Sequence, residues 1–333
     1  MFEFPPLLPE PANFTPRSTG LEMWLCATKA RNPHRCRFGR RERPNSISIM
    51  PTMPRVTSEN LKHLSLLLRL GKNPAATVYE SLGEDFFIAP PDGWLNLGLW
   101  EPGQHDASKA SEHLVTTLAA QLPKHATVVD VGNGLGAQDP VIKEVTQARS
   151  LIAVNITEAQ LRYGAERLGR AQAAPVAADA TRLPLRDGSA EGIISVEAAF
   201  HFPSRPAFFT EARRVLSVGG VLSMSDVSME RFPWWPDEAL AGATNLRLWG
   251  LKASNMVSAA TIEAQIRTAG FSQVEIRRCT AEVLDPAIAY LRSRLDIHPD
   301  APLMYRAGAR LMLAQWSLLR RRGIIEYLLI TAT

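Results

Sequence analysis

Short apolar runs alternate with amphipathic stretches through most of this chain, and that alternation predicts its architecture before any chemistry is considered. Seven runs read as strands: Val128–Val131, Ser150–Val154, Pro175–Ala180, Gly192–Val196, Val221–Met224, Gln273–Arg277 and Ile324–Ala332. They are short, rich in aliphatic residues, and bounded by turn signals. Between them, Ser108–Leu122, Pro140–Thr146, Pro206–Leu216 and Ala259–Ala269 read as helices. Ala110, Leu114 and Leu118 share one face of the first, and Phe208, Ala212, Val215 and Leu216 the inner face of the third. Strand and helix in turn predict an α/β fold, Rossmann-like and doubly wound, with helices on both faces of the sheet.

Two regions depart from this alternation. Residues 227–258 are rich in Trp, Met and Leu, and Leu246, Trp249 and Gly250 keep helical spacing. With residues 284–318, two helices interrupted at His298–Pro302, they are expected to form a lid in which Trp234, Trp235 and Met256 offer apolar surface to a substrate. Upstream, Thr57–Leu70 opens with a capping residue and repeats Leu61, Leu64 and Leu68, predicting a helical cover, with a shorter helix around Ala75–Leu82. Residues 1–55 have no period and hold nine of the 24 prolines. They read as a disordered leader, or as sequence ahead of a start at Met50 or Met53; organelle targeting is the weaker alternative. The expected organisation is a leader over 1–55 and one domain over 56–333.

The leader changes how the charge is read. It carries nine Lys/Arg against four Asp/Glu, leaving 28 against 29 in the rest, so the net +4 belongs to the leader. A nucleic-acid-binding body is thereby disfavoured. The 46% hydrophobic content supplies a core, yet no run reaches the ~20 apolar residues of a membrane span. Cys26, Cys36 and Cys279 have neither disulfide-framework nor zinc-ligand spacing, which predicts a cytoplasmic enzyme without a metal; self-association is left open.

The candidate chemistry centres on Ala126–Asp139, an apolar strand running into Gly132, Gly134 and Gly136. Such a loop turns tightly and lets a nucleotide-like ligand approach at the carboxyl end of a parallel strand. Asp130 at its base would repel a pyrophosphate and attract an ammonium group. The segment 128–139, VVDVGNGLGAQD, resembles the first motif of class I S-adenosylmethionine-dependent methyltransferases. Residues 195–227, SVEAAFHFPSRPAFFTEARRVLSVGGVLSMSDV, are similar to that family's segment from the fourth to the fifth strand, with Val218 in place of its usual Pro. AVNITEAQ, residues 153–160, resembles the subgroup containing natural-product and sugar O-methyltransferases.

The resemblance implies a seven-stranded sheet with an antiparallel last strand, S-adenosylmethionine as cofactor, and a small-molecule acceptor. It implies cofactor binding by Asp130, Gly132, Asn133, Gly134, Gly136, Gln138, Asn155, Gln160, Asp179, Ala180 and Glu197. Asn96, Gly98 and Trp100 match a segment that closes over the cofactor, with Leu99 where Tyr is frequent. Asn155 stands where nucleotide folds place an acid for the ribose hydroxyls, and a plain turn residue is its alternative reading. His201, leaving the fourth strand, is the expected general base, with Asp226 at the end of the fifth strand to orient it; a buried core histidine is the alternative. The expected reaction is O-methylation of a largely apolar acceptor in secondary metabolism. C-methylation of an isoprenoid or polyketide-like acceptor is the alternative within the class, where Trp234 and Trp235 would stabilise a carbocation. An NAD(P)-dependent oxidoreductase is the alternative outside it, disfavoured by Asp130.

Overall fold

The computed structural model describes residues 91–248, 251–297 and 303–333. The leader, the expected helices at Thr57–Leu70 and Ala75–Leu82, and the break at residues 298–302 lie outside the described residues.

The first helix begins where Asp106 Oδ1 accepts from Ser108 N at 2.9 Å, a side-chain cap on α1 (Ala107–Ala119). There follow β1 (Thr127–Val131), α2 (Gln138–Thr146), β2 (Ser150–Asn155), α3 (Glu158–Tyr163), α4 (Ala165–Ala171) and β3 (Ala173–Ala177). Next come β4 (Ala190–Val196), α5 (Arg205–Val215), β5 (Leu216–Met229), α6 (Pro236–Leu248) and α7 (Ala259–Thr268). The chain ends with β6 (Val274–Arg278), α8 (Thr280–Ile297), α9 (Leu303–Arg321) and β7 (Ile325–Ala332). Strand order is β3-β2-β1-β4-β5-β7-β6. β1 to β5 pair in parallel, and β7 runs antiparallel to both neighbours. The order reverses direction beside β1, and the crevice above that switch point is where open α/β sheets bind ligands.

Alternation along each strand divides the core. Val128, Ile194 and Leu329 pack with α1, α2, α4 and α8 through Leu114, Ile142, Leu168 and Val283. Val129, Ile193 and Leu328 pack on the opposite face with Phe208 and Phe209 of α5 and Ile262 and Ile266 of α7. Side chains one residue apart thus bury on opposite faces, as a two-residue repeat requires.

β5 is longer than its apolar run suggested. It starts at Leu216, bulges over Ser217–Gly220 with Val218 fully in solvent, and continues to Met229 because β7 pairs with it out to Ile325. β3 starts two residues earlier than expected and stops at Ala177, leaving Asp179 in the loop above the sheet.

Candidate active site

Two cavities lie above the carboxyl ends of the parallel strands, and Leu95, Asn96, Glu197 and His201 line both. The polar cleft follows the glycine loop after β1. Gly132 N continues the ladder by donating to Val154 O at 2.8 Å, and its φ of 85° is left-handed. A Cβ there would stand 2.4 Å from the Ala198 Cβ, so glycine is required by contact as well as by φ. A Cβ on Gly134 would meet Leu95 at 3.1 Å, which places the tip of the loop against the 93–100 segment covering the cleft. Gly136 is otherwise: its Cβ direction faces Leu168 of α4 at 3.4 Å, and it does not line the cleft. That side of Gly136 packs the loop on the helix.

Asn133, Gln138, Asn155, Gln160, Asp179 and Ala180 line the cleft as expected. Asn155 Nδ2 reaches Gln160 Oε1 at 3.0 Å and both Asn133 Oδ1 and Gly134 O at 3.2 Å, while its Oδ1 accepts from Thr157 N at 2.9 Å. A carboxylate could not donate to those oxygens, so asparagine here ties the glycine loop to the exit of β2. Asp179 Oδ1 accepts from Thr181 N and its hydroxyl at 2.8 and 2.9 Å, which fixes the carboxylate at the cleft.

Asp130 is corrected too. It is fully buried beneath the loop, outside the cleft wall, and both its oxygens accept from Gln138 Nε2 at 2.8 Å. Burial pushes its carboxyl well above the ordinary range, with the charge of buried Asp139 adding to the shift; burial also pushes Asp139 up to about 7. A carboxyl that holds its proton more tightly when folded contributes stability below its unfolded pKa, and loses it as pH rises through the folded value. The ligand-free enzyme is therefore expected to lose melting temperature as pH climbs through 7. Asp139→Asn, which keeps an oxygen for Asn133 Nδ2, should flatten that decline and melt higher at pH 8. An unchanged slope in thermal scans from pH 5 to 8 would contradict this.

The second cavity is apolar, with a volume of about 580 Å³. α6, α8 and α9 wall it with residues such as Leu246, Leu284, Ala287, Tyr290 and Met312, so both expected lid regions contribute. Met256 lines it, but Trp234 and Trp235 are 77% and 61% exposed and do not, which removes the aromatic surface expected of them. Trp100 lines this cavity rather than the cleft, its Nε1 donating to Leu97 O at 2.8 Å. The segment carrying it is pinned by Gly98, whose Cβ would lie 2.7 Å from that of Ala110.

At the junction, Glu197 sits at φ 50° just past β4. Its Oε1 accepts from Leu97 N at 2.8 Å and the Tyr327 hydroxyl at 2.7 Å. Asn96 is buried, and its Nδ2 has no hydrogen-bond partner among the described residues. His201 ends a short 3-10 turn, Ala199–His201, with its ring 4.4 Å from that of Phe200.

Asp226 does not join them. It is fully buried and lines neither cavity; its Oδ1 accepts from Arg205 Nη2 and Val227 N, each at 2.8 Å. The expected pairing with His201 is replaced by a relay. Arg205 also donates to Asn255 O, and Asn255 Nδ2 donates to Phe202 O at 2.7 Å and Phe200 O at 3.4 Å, the carbonyls flanking His201. Arg205, Asn255 and Tyr327 were not singled out from sequence. Arg205 sits in an ordinary helix start, and nothing local marks its burial.

The cleft fits S-adenosylmethionine on its own chemistry. Among its described lining residues there is no Lys or Arg; the polar side chains include neutral amides, the Thr157 hydroxyl, a histidine and the carboxylates of Asp179 and Glu197, which suit a ligand with positive charge. The orphaned Asn96 Nδ2 additionally offers a donor to a ligand.

Comparison with known proteins agrees. A methyltransferase domain family matches residues 129–224. The erythromycin 3''-O-methyltransferase of Saccharopolyspora erythraea is 29% identical over 67% of this chain and 76% of its own. A cyclopropane synthase of Mycobacterium tuberculosis has the same fold, with a TM-score of 0.66 at 14% identity over 79% of this chain and 99% of its own. The geranyl diphosphate C-methyltransferase of Streptomyces coelicolor superposes with a TM-score of 0.59 at 16% identity over 77% and 97%. The strand order, the glycine loop and these matches agree with one another: the chain carries a methyltransferase domain on the class I fold, and is an S-adenosylmethionine-dependent methyltransferase.

Proposed function

We propose that the enzyme methylates a hydroxyl group on a largely apolar acceptor of secondary metabolism, with His201 as the base. The observation that carries this is the junction: an apolar cavity of about 580 Å³ shares Asn96, Glu197 and His201 with the cofactor cleft. An acceptor's aliphatic body fits the apolar walls, and its hydroxyl belongs at the polar end. Bound S-adenosylmethionine supplies a methyl group already activated on a sulfonium. The chain has then to align the acceptor, exclude water and take one proton, which His201 does at the junction. Asn96 Nδ2 is placed to hold the acceptor oxygen.

Two features favour oxygen over the carbon alternative. No Lys or Arg lines the apolar cavity among the described residues, so a diphosphate acceptor lacks a partner. The tryptophans invoked for a carbocation face outward. The described residues contain no helix long and apolar enough to cross a membrane, and Cys279 is a free, buried thiol, which supports a cytoplasmic enzyme.

Incubating the enzyme with labelled S-adenosylmethionine and an extract of the source organism tests the reading. A labelled methyl ether by mass spectrometry and NMR supports it, and a new carbon–carbon bond overturns it. Gly242→Leu is a second test. Gly242 lines the apolar cavity from α6 and its Cβ direction meets only Pro233, at 3.8 Å, so the helix tolerates a side chain that fills the cavity. The acceptor KM should rise by about tenfold or more while cofactor affinity stays constant.

A further inference from the structure

We infer that Glu197, at the junction of the two cavities, is the carboxylate that recognises the positive charge of the methyl donor. This makes it the residue by which the enzyme tells donor from product. The inference rests on the cofactor assignment and is independent of the acceptor's identity.

Three observations converge on Glu197. It is the one carboxylate that lines both cavities among the described residues, so it stands where a transferable methyl group must pass from cleft to acceptor. Its backbone is held at φ 50°, a conformation that costs a residue with a Cβ and that is typical of sites where geometry serves a ligand. Its Oε1 is anchored by Leu97 N from the covering segment and by the Tyr327 hydroxyl from β7, which leaves the other oxygen as the one to meet a ligand.

Electrostatics gives this geometry a consequence. Burial pushes the Glu197 carboxyl up to about 7, against the lowering effect of the hydrogen bonds from Tyr327 and Leu97 N. An opposite charge nearby favours the ionised form, so a sulfonium in the cleft should expel the proton, whereas a neutral thioether should not. Around Glu197, Tyr327 on β7 and Cys279 ahead of α8 are both raised by burial, the thiol to about 12, and stay neutral through the window. Tyr290 of α8 lines the apolar cavity, and Asp226 on β5 is held by Arg205. His201 is the other titratable group that lines both cavities among the described residues.

Calorimetry without acceptor tests the assignment on the full chain, with S-adenosylmethionine and S-adenosylhomocysteine titrated at pH 6 and 8 in buffers of differing ionisation heat. Relative to Glu197→Gln, wild type should release up to one proton on binding the methyl donor at pH 6 and gain about tenfold in affinity by pH 8. The product should show neither effect. In Glu197→Gln, whose amide oxygen still accepts from Tyr327 and Leu97 N, the preference for donor over product at pH 8 should fall by about tenfold, and His201→Asn should retain the wild-type proton release. Equal pH dependence in wild type and Glu197→Gln, or proton release that disappears in His201→Asn instead, overturns the inference. Failure of either ligand to bind wild type would instead strike the cofactor assignment itself.

Discussion

His201→Ala is expected to lower turnover by roughly 10²–10⁴-fold, the usual cost of a lost acid or base, while leaving the affinity for S-adenosylhomocysteine near that of the parent. The separation follows from position. His201 lines the apolar cavity as well as the cleft, which in the proposed reaction is the point where the acceptor hydroxyl loses its proton. The proposed cofactor contacts come from other elements of the cleft wall, the glycine loop with Asn133, Gln138, Asn155 and Asp179. Its own placement is rigid: His201 N donates to Ala198 O at 2.9 Å, and Asn255 ties down the carbonyls on either side. The parent rate should rise with pH as the base loses its proton, and that limb should be lost in the variant, with partial rescue by added imidazole. Full turnover in His201→Ala would leave alignment by the cavity as the source of the rate, and would pass the proton to another acceptor.

Most of the architecture was written in the apolar runs, because a buried parallel strand has no freedom to be anything but aliphatic on both faces. The same runs also contained the information needed for the two acids that were misplaced. Val129 and Val131 bury on the α5 side, so Asp130 between them must turn to the α2 side, where Gln138 at the start of that helix reaches it. Leu222 and Met224 bury on the α5 side, and Asp226 shares their parity, which delivers it to Arg205 rather than upward to a ligand. Proximity to a strand's carboxyl end identifies the neighbourhood, and parity decides whether a side chain faces the ligand or a helix. Glu197 escapes the parity rule because its left-handed φ breaks the strand at that residue. The junction was therefore the hardest part to read: Asn96 comes from a loop some hundred residues before Glu197, and their meeting is a property of the fold.

Arg205→Met should destabilise the enzyme by about 3–5 kcal/mol, the cost of stranding one member of a buried ion pair. Arg205 and Asp226 are both fully buried, and the guanidinium also serves Val227 O at 2.7 Å and the Asn255 carbonyl, so one substitution leaves a carboxylate and two carbonyls without their donor. Burial already raises the Asp226 carboxyl above its ordinary range, with Arg205 opposing. Removing Arg205 raises it further, so the folded variant takes up a proton that the unfolded chain releases. The deficit should therefore be smaller at pH 5 than at pH 8 in urea unfolding. Arg205→Met combined with Asp226→Leu should recover much of the loss, because an apolar pair carries no desolvation cost. Activity should behave differently from stability. Asn255 loses its bond from the Arg205 guanidinium in both variants and keeps only that from the residue-205 backbone N to its Oδ1, so the turn carrying His201 should stay loosened and turnover should remain below that of the parent even where stability returns. A double variant with full turnover would show that Arg205 and Asp226 hold the fold alone and do not position the base.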